Sequence, residues 1–231
     1  MISGSEEFAY NKKAADIYED FGDKVFKGDI ALLDHLGSDS LKNKVVLDFG
    51  CGNGRMERRF LSMGPKKIVA VEISDQMLAN ARASLVRLPP KDAAKLSFEK
   101  LNSGKLPFES GAFDVVIVHF VFHYILKLDE TVRELFRVMK DGGKIFITVN
   151  DFSFKPGFEH LENTSLPLVI GEKLVVDVLA KTRNDIEMML KKAGFVLDEV
   201  ESFDNTSAHV AETYPQRDNI IFGNTIVVAH R

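Results

Sequence analysis

The chain of 231 residues has no tryptophan and one cysteine, Cys51. A single cysteine excludes an intrachain disulfide. Without a Cys/His cluster around it, it also argues against a structural zinc site. There is no basic excess: 30 Lys and Arg face 34 Asp and Glu, for a net charge of −4. With the two signs interspersed, no electrostatic footprint for a nucleic-acid backbone is visible, and no nucleic-acid partner is expected. Long apolar runs are missing too. The longest, Val115 to Leu126, carries His119 and His123 and is too short to span a bilayer. The segment Met1-Ile2-Ser3-Gly4-Ser5-Glu6-Glu7 is polar and acidic, unlike a signal peptide. Together these absences point to a cytoplasmic protein with no membrane partner. What is present is 45% hydrophobic residues, including 18 Phe, enough for a sizeable core in one domain over residues 1–231.

Residues 8–36 carry apolar positions at helical spacing, which predicts an N-terminal helical cap over residues 1–40, with Asp29 capping a helix that starts at Ile30. Strands and helices then alternate. Strands are expected at Lys44–Phe49, Lys67–Glu72, Lys95–Leu101, Phe113–His119, Lys144–Val149, Val196–Phe203 and Ile220–Ala229. Helices are expected at Arg55–Met63, from Asp75 to about Leu88, at Asp129–Met139 and at Thr182–Ala193. Such alternation builds βαβ units and a parallel sheet with helices on both faces. The loop Asp204–Asn219 shows no obvious helix, so the last two strands are expected to pair antiparallel. Residues 151–181 break the rhythm and read as an insertion over the site.

The most telling segment is Val45-Val46-Leu47-Asp48-Phe49-Gly50-Cys51-Gly52-Asn53-Gly54-Arg55. A buried strand ends in an acid and breaks into three glycines at alternate positions, a loop that lets a ligand lie against the backbone. A second apolar run ends in Glu72, eighteen residues after Gly54. A phosphate loop would need a Lys that is missing. The Gly-x-Gly-x-Gly spacing differs from the Gly-x-Gly-x-x-Gly of dinucleotide folds. Asp48 would repel a pyrophosphate and attract an ammonium or sulfonium. The remaining reading is a ligand with a cation near the loop and a ribose.

These motifs resemble those of the class I S-adenosylmethionine-dependent methyltransferases. Val-Leu-Asp-Phe-Gly-Cys-Gly-Asn-Gly-Arg looks like the family's first motif. Leu106-Pro107-Phe108 before Phe113-Asp114-Val115-Val116, and Leu135 to Gly143, resemble the small-molecule (type 11-like) branch. The resemblance runs from about residue 40 to 150, with a weaker echo at Lys191–Phe195. It implies a Rossmann-like, seven-stranded α/β sheet, mostly parallel, with an antiparallel last strand. It implies S-adenosyl-L-methionine as cofactor, S-adenosyl-L-homocysteine as product and a small-molecule acceptor methylated by in-line displacement. It would set Asp48, Gly50, Cys51 and Gly52 at the methionine end, Glu72 on the ribose, and Ile73 and Met77 beside the adenine. His119 would offer its backbone carbonyl to the ligand amine, and Phe120 would lie near the adenine. Asn102, next to Ser103, stands where the family usually has an Asp against the adenine amino group. Its carbonyl oxygen still accepts that bond but brings no charge. Tyr18 on the N-terminal helices would close over the cofactor.

Methyl transfer from a sulfonium needs mainly orientation, and a base only when the acceptor must lose a proton. His123 is the candidate base, with a packed wall of the pocket as the equal alternative. His119 and His123 lack a third ligand nearby, so no metal site is expected. Cys51 reads as a small hydrophobe rather than a nucleophile. A different class of function keeps the fold but not the turnover: a cofactor-binding or scaffold module.

Overall fold

The computed structural model describes residues 25–102, 105–170, 174–203, 208–210 and 215–231. Its centre is a seven-stranded sheet in the order β3-β2-β1-β4-β5-β10-β8. The strands are β1 (Val45–Phe49), β2 (Lys67–Glu72), β3 (Leu96–Lys100), β4 (Phe113–His119), β5 (Met139–Phe154), β8 (Val196–Ser202) and β10 (Ile220–His230). The β1–β2, β2–β3, β1–β4 and β4–β5 pairs are parallel, and β10 runs antiparallel to both β5 and β8. The expected antiparallel pairing of the last two strands is therefore present. A second, three-stranded sheet joins β6 (Ser165–Ile170), β7 (Leu174–Leu179) and β9 (Ala208–Val210) in the order β7-β6-β9.

Among the described residues, six α-helices flank these strands: α1 (Lys27–Leu36), α2 (Glu57–Ser62), α3 (Asp75–Ser84), α4 (Pro90–Ala93), α5 (Leu128–Val138) and α6 (Arg183–Ala193). Because strand side chains alternate in direction, β1, β2, β4, β5 and β10 each feed two cores. Leu47, Val69, Val116, Ile147 and Val227 pack with Leu135 of α5 and Leu190 of α6. Val46, Ile68, Ile117, Phe146 and Ile226 pack with Leu32 of α1, Phe60 of α2 and Leu78 of α3. The continuous apolarity of β1 and β4 follows from burial on both faces.

Several boundaries differ from the sequence reading. The first described helix begins at Lys27, not Ile30. Asp29 sits in its first turn and takes the Phe26 N–H at 2.8 Å from inside the helix. The positions among residues 8–24 lie outside the described residues. Strand β5 begins at Met139 and runs to Phe154, because β10 pairs with it from Lys144 to Phe154. The first residues of the expected insertion, 151–154, thus complete a sheet strand. The loop before β10 contains β9 and a turn of 3₁₀ helix at Arg217–Asn219. Gly194 ends α6 at φ 108°, as a C-terminal cap requires. Among the described residues, no helix is long and apolar enough to cross a membrane.

The strand order reverses between β1 and β4. In open α/β sheets the crevice at the carboxyl ends of such a strand pair is where ligands bind. Here it holds the glycine loop after β1 and the residues His119 and Phe120 after β4. The core that fixes this edge is testable. Leu135→Ala, at a fully buried site, is expected to cost about 2–5 kcal/mol. Val86→Ala, at a site 87% exposed, is expected to change stability by less than about 0.5 kcal/mol. Urea unfolding with an unchanged m-value checks both.

Candidate active site

The glycine loop is pinned at its start, where the Gly50 and Cys51 N–H groups donate to the Val71 carbonyl at 2.8 and 3.0 Å. Gly50, Gly52 and Gly54 all have positive φ (81°, 60° and 78°). Their surroundings separate their roles. A Cβ at Gly50 would stand 2.5 Å from a Val121 methyl, and one at Gly54 would stand 3.1 Å from the Ala81 backbone. A Cβ at Gly52 would meet nothing within 4 Å. Two glycines serve close packing, and the third faces open space.

Beside that space lies Glu72, buried at the end of β2. Its Oε2 accepts the Gly52 N–H at 3.0 Å, and its Oε1 accepts the Ile73 and Ser74 N–H groups at 2.7 and 2.8 Å. A carboxylate has about four acceptor positions, so roughly one remains, on Oε2. Burial outweighs these three amides and holds the Glu72 carboxyl above its ordinary range. Ser74 caps α3 through the Met77 N–H at 3.3 Å, which places Met77, buried, next to half-buried Ile73. Lys100 bridges this edge, with its Nζ 2.7 Å from Asp75 and bonded to the Ile73 carbonyl. Asn102 is exposed just beyond β3. Ser103 and Tyr18 lie outside the described residues.

Under the loop, Asp48 is 3% exposed and Glu57, the first residue of α2, is 1% exposed. Burial and the charge of Glu72 push the Asp48 carboxyl up to about 6, against the pull of the neighbouring Glu57 carboxyl. Burial and the charge of Asp48 hold Glu57 well above the ordinary carboxylate range. The two carboxyls are neighbours, yet neither Glu57 oxygen meets the geometry of a hydrogen bond to any partner. Burial, then the charges of Glu57, Asp48 and Glu72, push the Cys51 thiol up, so a nucleophilic thiolate is disfavoured here.

A further polar network joins α1 to the loop and to β4. The Asp29 carboxylate, 1% exposed, accepts from both terminal nitrogens of Arg55, with Nη2 at 2.7 Å from Oδ1. The same Oδ1 lies 2.9 Å from His119 Nε2, and His119 Nδ1 lies 2.5 Å from the Thr148 hydroxyl oxygen. Burial alone would raise Asp29, but the bonds from His119 and Arg55 hold it far below the usual carboxylate range. His119 is pulled down by burial, which Asp29 partly offsets. A neutral ring then donates from Nε2 to Asp29 and accepts the Thr148 hydroxyl proton at Nδ1. With both nitrogens engaged, the His119 side chain is structural.

A family model described as a methyltransferase domain matches residues 47–147, the stretch from β1 to β5. The demethylmenaquinone methyltransferase of Lactococcus lactis subsp. lactis (strain IL1403) is 30% identical over 175 residues, covering 68% of this chain and 67% of that protein. The chain belongs to the S-adenosylmethionine-dependent methyltransferases.

A second relative of this methyltransferase is the ubiquinone/menaquinone biosynthesis C-methyltransferase UbiE of Ectopseudomonas mendocina (strain ymp). It is 35% identical over 114 residues, and the match covers 48% of this chain and 43% of that protein. The chain thus spans less than half the length of that relative. The fold is shared with the S-adenosylmethionine-dependent methyltransferase from Mesorhizobium loti (TM-score 0.63, 19% identity, covering 88% of this chain and 97% of that one). It is shared equally with the cyclase SpnF (TM-score 0.63, 16% identity, covering 85% and 78%).

S-adenosylmethionine is the family's cofactor, and the methyltransferase's residues fit it. Open space over Gly52 admits a ligand against the backbone, a remaining acceptor on Glu72 suits a hydroxyl, and the buried neighbouring acids Asp48 and Glu57 suit a cation. Two placements refine the sequence reading. The ring of Phe120, at φ 55°, turns toward Phe203 (6.3 Å between centroids), on the β10–β8 side. Ile73 and Met77 lie at the other side of the loop, just after β2 and in α3. His123 is 2% exposed, its Nδ1 has no hydrogen-bond partner, and burial pushes it down to about 3. A histidine so weakly basic suits the wall of a pocket better than a general base at neutral pH. Among the described residues, no group of three or more His, Cys, Asp or Glu is placed to hold a metal.

Three residues escaped the sequence reading as parts of the site: Glu57, Arg55 and the ligating role of Asp29. Two carried a signal. Asp29 shares a helical stripe with Leu32, Leu33 and Leu36, and Glu57 shares one with Phe60 and Leu61. An acid on an apolar stripe must find a partner inside.

The burial of His123 has a measurable consequence. Unfolded, its imidazole titrates near 6.5; folded, near 3. Between those values the unfolded chain binds the extra proton, so stability present above pH 6.5 is lost as the pH falls. From pH 6 to pH 4 the wild type is expected to lose about 2 kcal/mol more than His123→Gln, by urea unfolding at each pH.

Proposed function

We propose that this chain transfers a methyl group from S-adenosylmethionine to a small-molecule acceptor by in-line displacement. The observation that carries the proposal is the open Gly52 beside Glu72 and above Asp48, at the reversal of strand order. When bound, the cofactor supplies a methyl group already activated by its sulfonium. The chain's own residues bind and orient. Glu72 accepts a ribose hydroxyl at the free position of Oε2. Asp48 faces the cationic end, and Gly50, Cys51 and Gly52 bring the backbone against it. Ile73 and Met77 flank the adenine, with Asn102 and Ser103 at its edge, and the His119 carbonyl takes the amine.

The acceptor side is built from later segments. Strand β7 packs against the turn at Phe122–Tyr124, which contains His123. We place the insertion of residues 151–181 over the acceptor, with His123 as the wall beneath it. Orientation and exclusion of water then supply the rate, without a strong base. The two relatives are named for demethylmenaquinone methylation and for ubiquinone/menaquinone biosynthesis, which makes demethylmenaquinone the first acceptor to test. We assign the protein to the cytoplasm, acting without a nucleic-acid or membrane partner.

Calorimetry with S-adenosylhomocysteine tests the cofactor site. Binding is expected, and Glu72→Ala is expected to weaken it by about 1–3 kcal/mol, the range for hydrogen bonds to a charged group. An unchanged affinity would show that the ribose lies elsewhere. Turnover is read separately, as S-adenosylhomocysteine formed on adding an acceptor. Tight binding without turnover over a broad acceptor panel would favour a binding module.

A further inference from the structure

One buried acid has no part in the mechanism above. Glu57 follows the glycine loop directly, and both of its oxygens are buried without a hydrogen-bond partner. Such atoms are rare in folded proteins, because an uncompensated buried polar group is costly. The groups facing it are Asp48 from β1 and Cys51 and Arg55 from the loop, and Glu72 from β2 faces Asp48 in turn. Of the cations at this edge, Arg55 lies on Asp29 and Lys100 on Asp75. Beside Glu72, which accepts the Gly52 N–H, the space over Gly52 holds no atom within 4 Å of a notional Cβ.

Two adjacent buried carboxyls do not both ionise readily, and they titrate as a pair. We propose that Asp48 and Glu57 form a cation-triggered proton-release site: empty, they hold one proton between them, and docking of the α-ammonium of the cofactor's methionyl end expels it. The proposal rests on the cofactor reading above. One carboxyl O–H bond breaks and its proton passes to the buffer. The pair goes from one negative charge to two, and the ammonium keeps its own protons. A positive charge within about 4–6 Å lowers a carboxyl by roughly 1–3 pH units, enough to bring the second acid into its ionised form near neutrality. The high setting of Glu57 in the free protein agrees with this.

Titration calorimetry of the whole chain at pH 7, in buffers of differing ionisation heat, counts the protons. S-adenosylhomocysteine, which carries the ammonium, is expected to release about one proton per molecule bound, and its association constant to rise about tenfold per pH unit from pH 6 to 8. 5′-Methylthioadenosine, which keeps the adenosine and thioether but has no ammonium, is expected to bind without release. Glu57→Gln is expected to bind S-adenosylhomocysteine with no release and a flat pH profile. Equal release by both ligands, or none by S-adenosylhomocysteine while it binds, overturns the proposal. The paired ligands need no variant, so the result stands even if Glu57→Gln does not fold. No binding of either ligand overturns the cofactor reading itself, and the proposal with it.

Discussion

Three backbone N–H groups converging on one buried carboxylate hold this site together. Glu72 takes Gly52 on one oxygen and Ile73 and Ser74 on the other. The first bond ties the glycine loop to the end of β2. The other two bend the chain from β2 into α3, where Ser74 caps the helix through the Met77 N–H. Charge-assisted bonds of this kind are about twice as strong as neutral ones. They fix the loop before any ligand arrives, so binding does not have to order it.

The sheet makes this economy possible. Parallel register sets Phe49 opposite Val71, Glu72 opposite Lys100, and His119 opposite Thr148, so the carboxyl ends of β1, β2, β3 and β4 reach one edge, beside the middle of β5. Acids at strand ends therefore meet without design at the level of the loop. The cost is local: Asp48, Glu57 and Glu72 lie close together in a dry place, and each is held above its ordinary range.

That geometry explains what was legible in the sequence. Asp48, the glycines and Glu72 end or follow apolar runs, and a strand's end is readable from the run itself. The antiparallel last pair followed from the lack of a crossover helix. The Asp29–Arg55 and Asp29–His119 contacts join residues 26 and 90 positions apart, across elements whose packing angle no local pattern encodes. The ring contact of Phe120 with Phe203 was not legible either: it accompanies a positive φ that a bulky residue rarely adopts. The length of β5 was underestimated because its extension depends on β10, a partner more than sixty residues later.

The position of β10 also dictates an order of assembly. It lies between β5 and β8, bonded to both, although β8 precedes it in the chain. Until β10 arrives, β5 and β8 each present an open edge, and β8 with α6 has no place in the main sheet. Loop closure over such distances is slow, and an unpaired edge is where chains stick to one another. The half of the sheet that carries the glycine loop, β3-β2-β1-β4, pairs without β10. The ligand-binding edge can therefore form early, and a ligand already bound there would act as a template while the far side waits for its central strand.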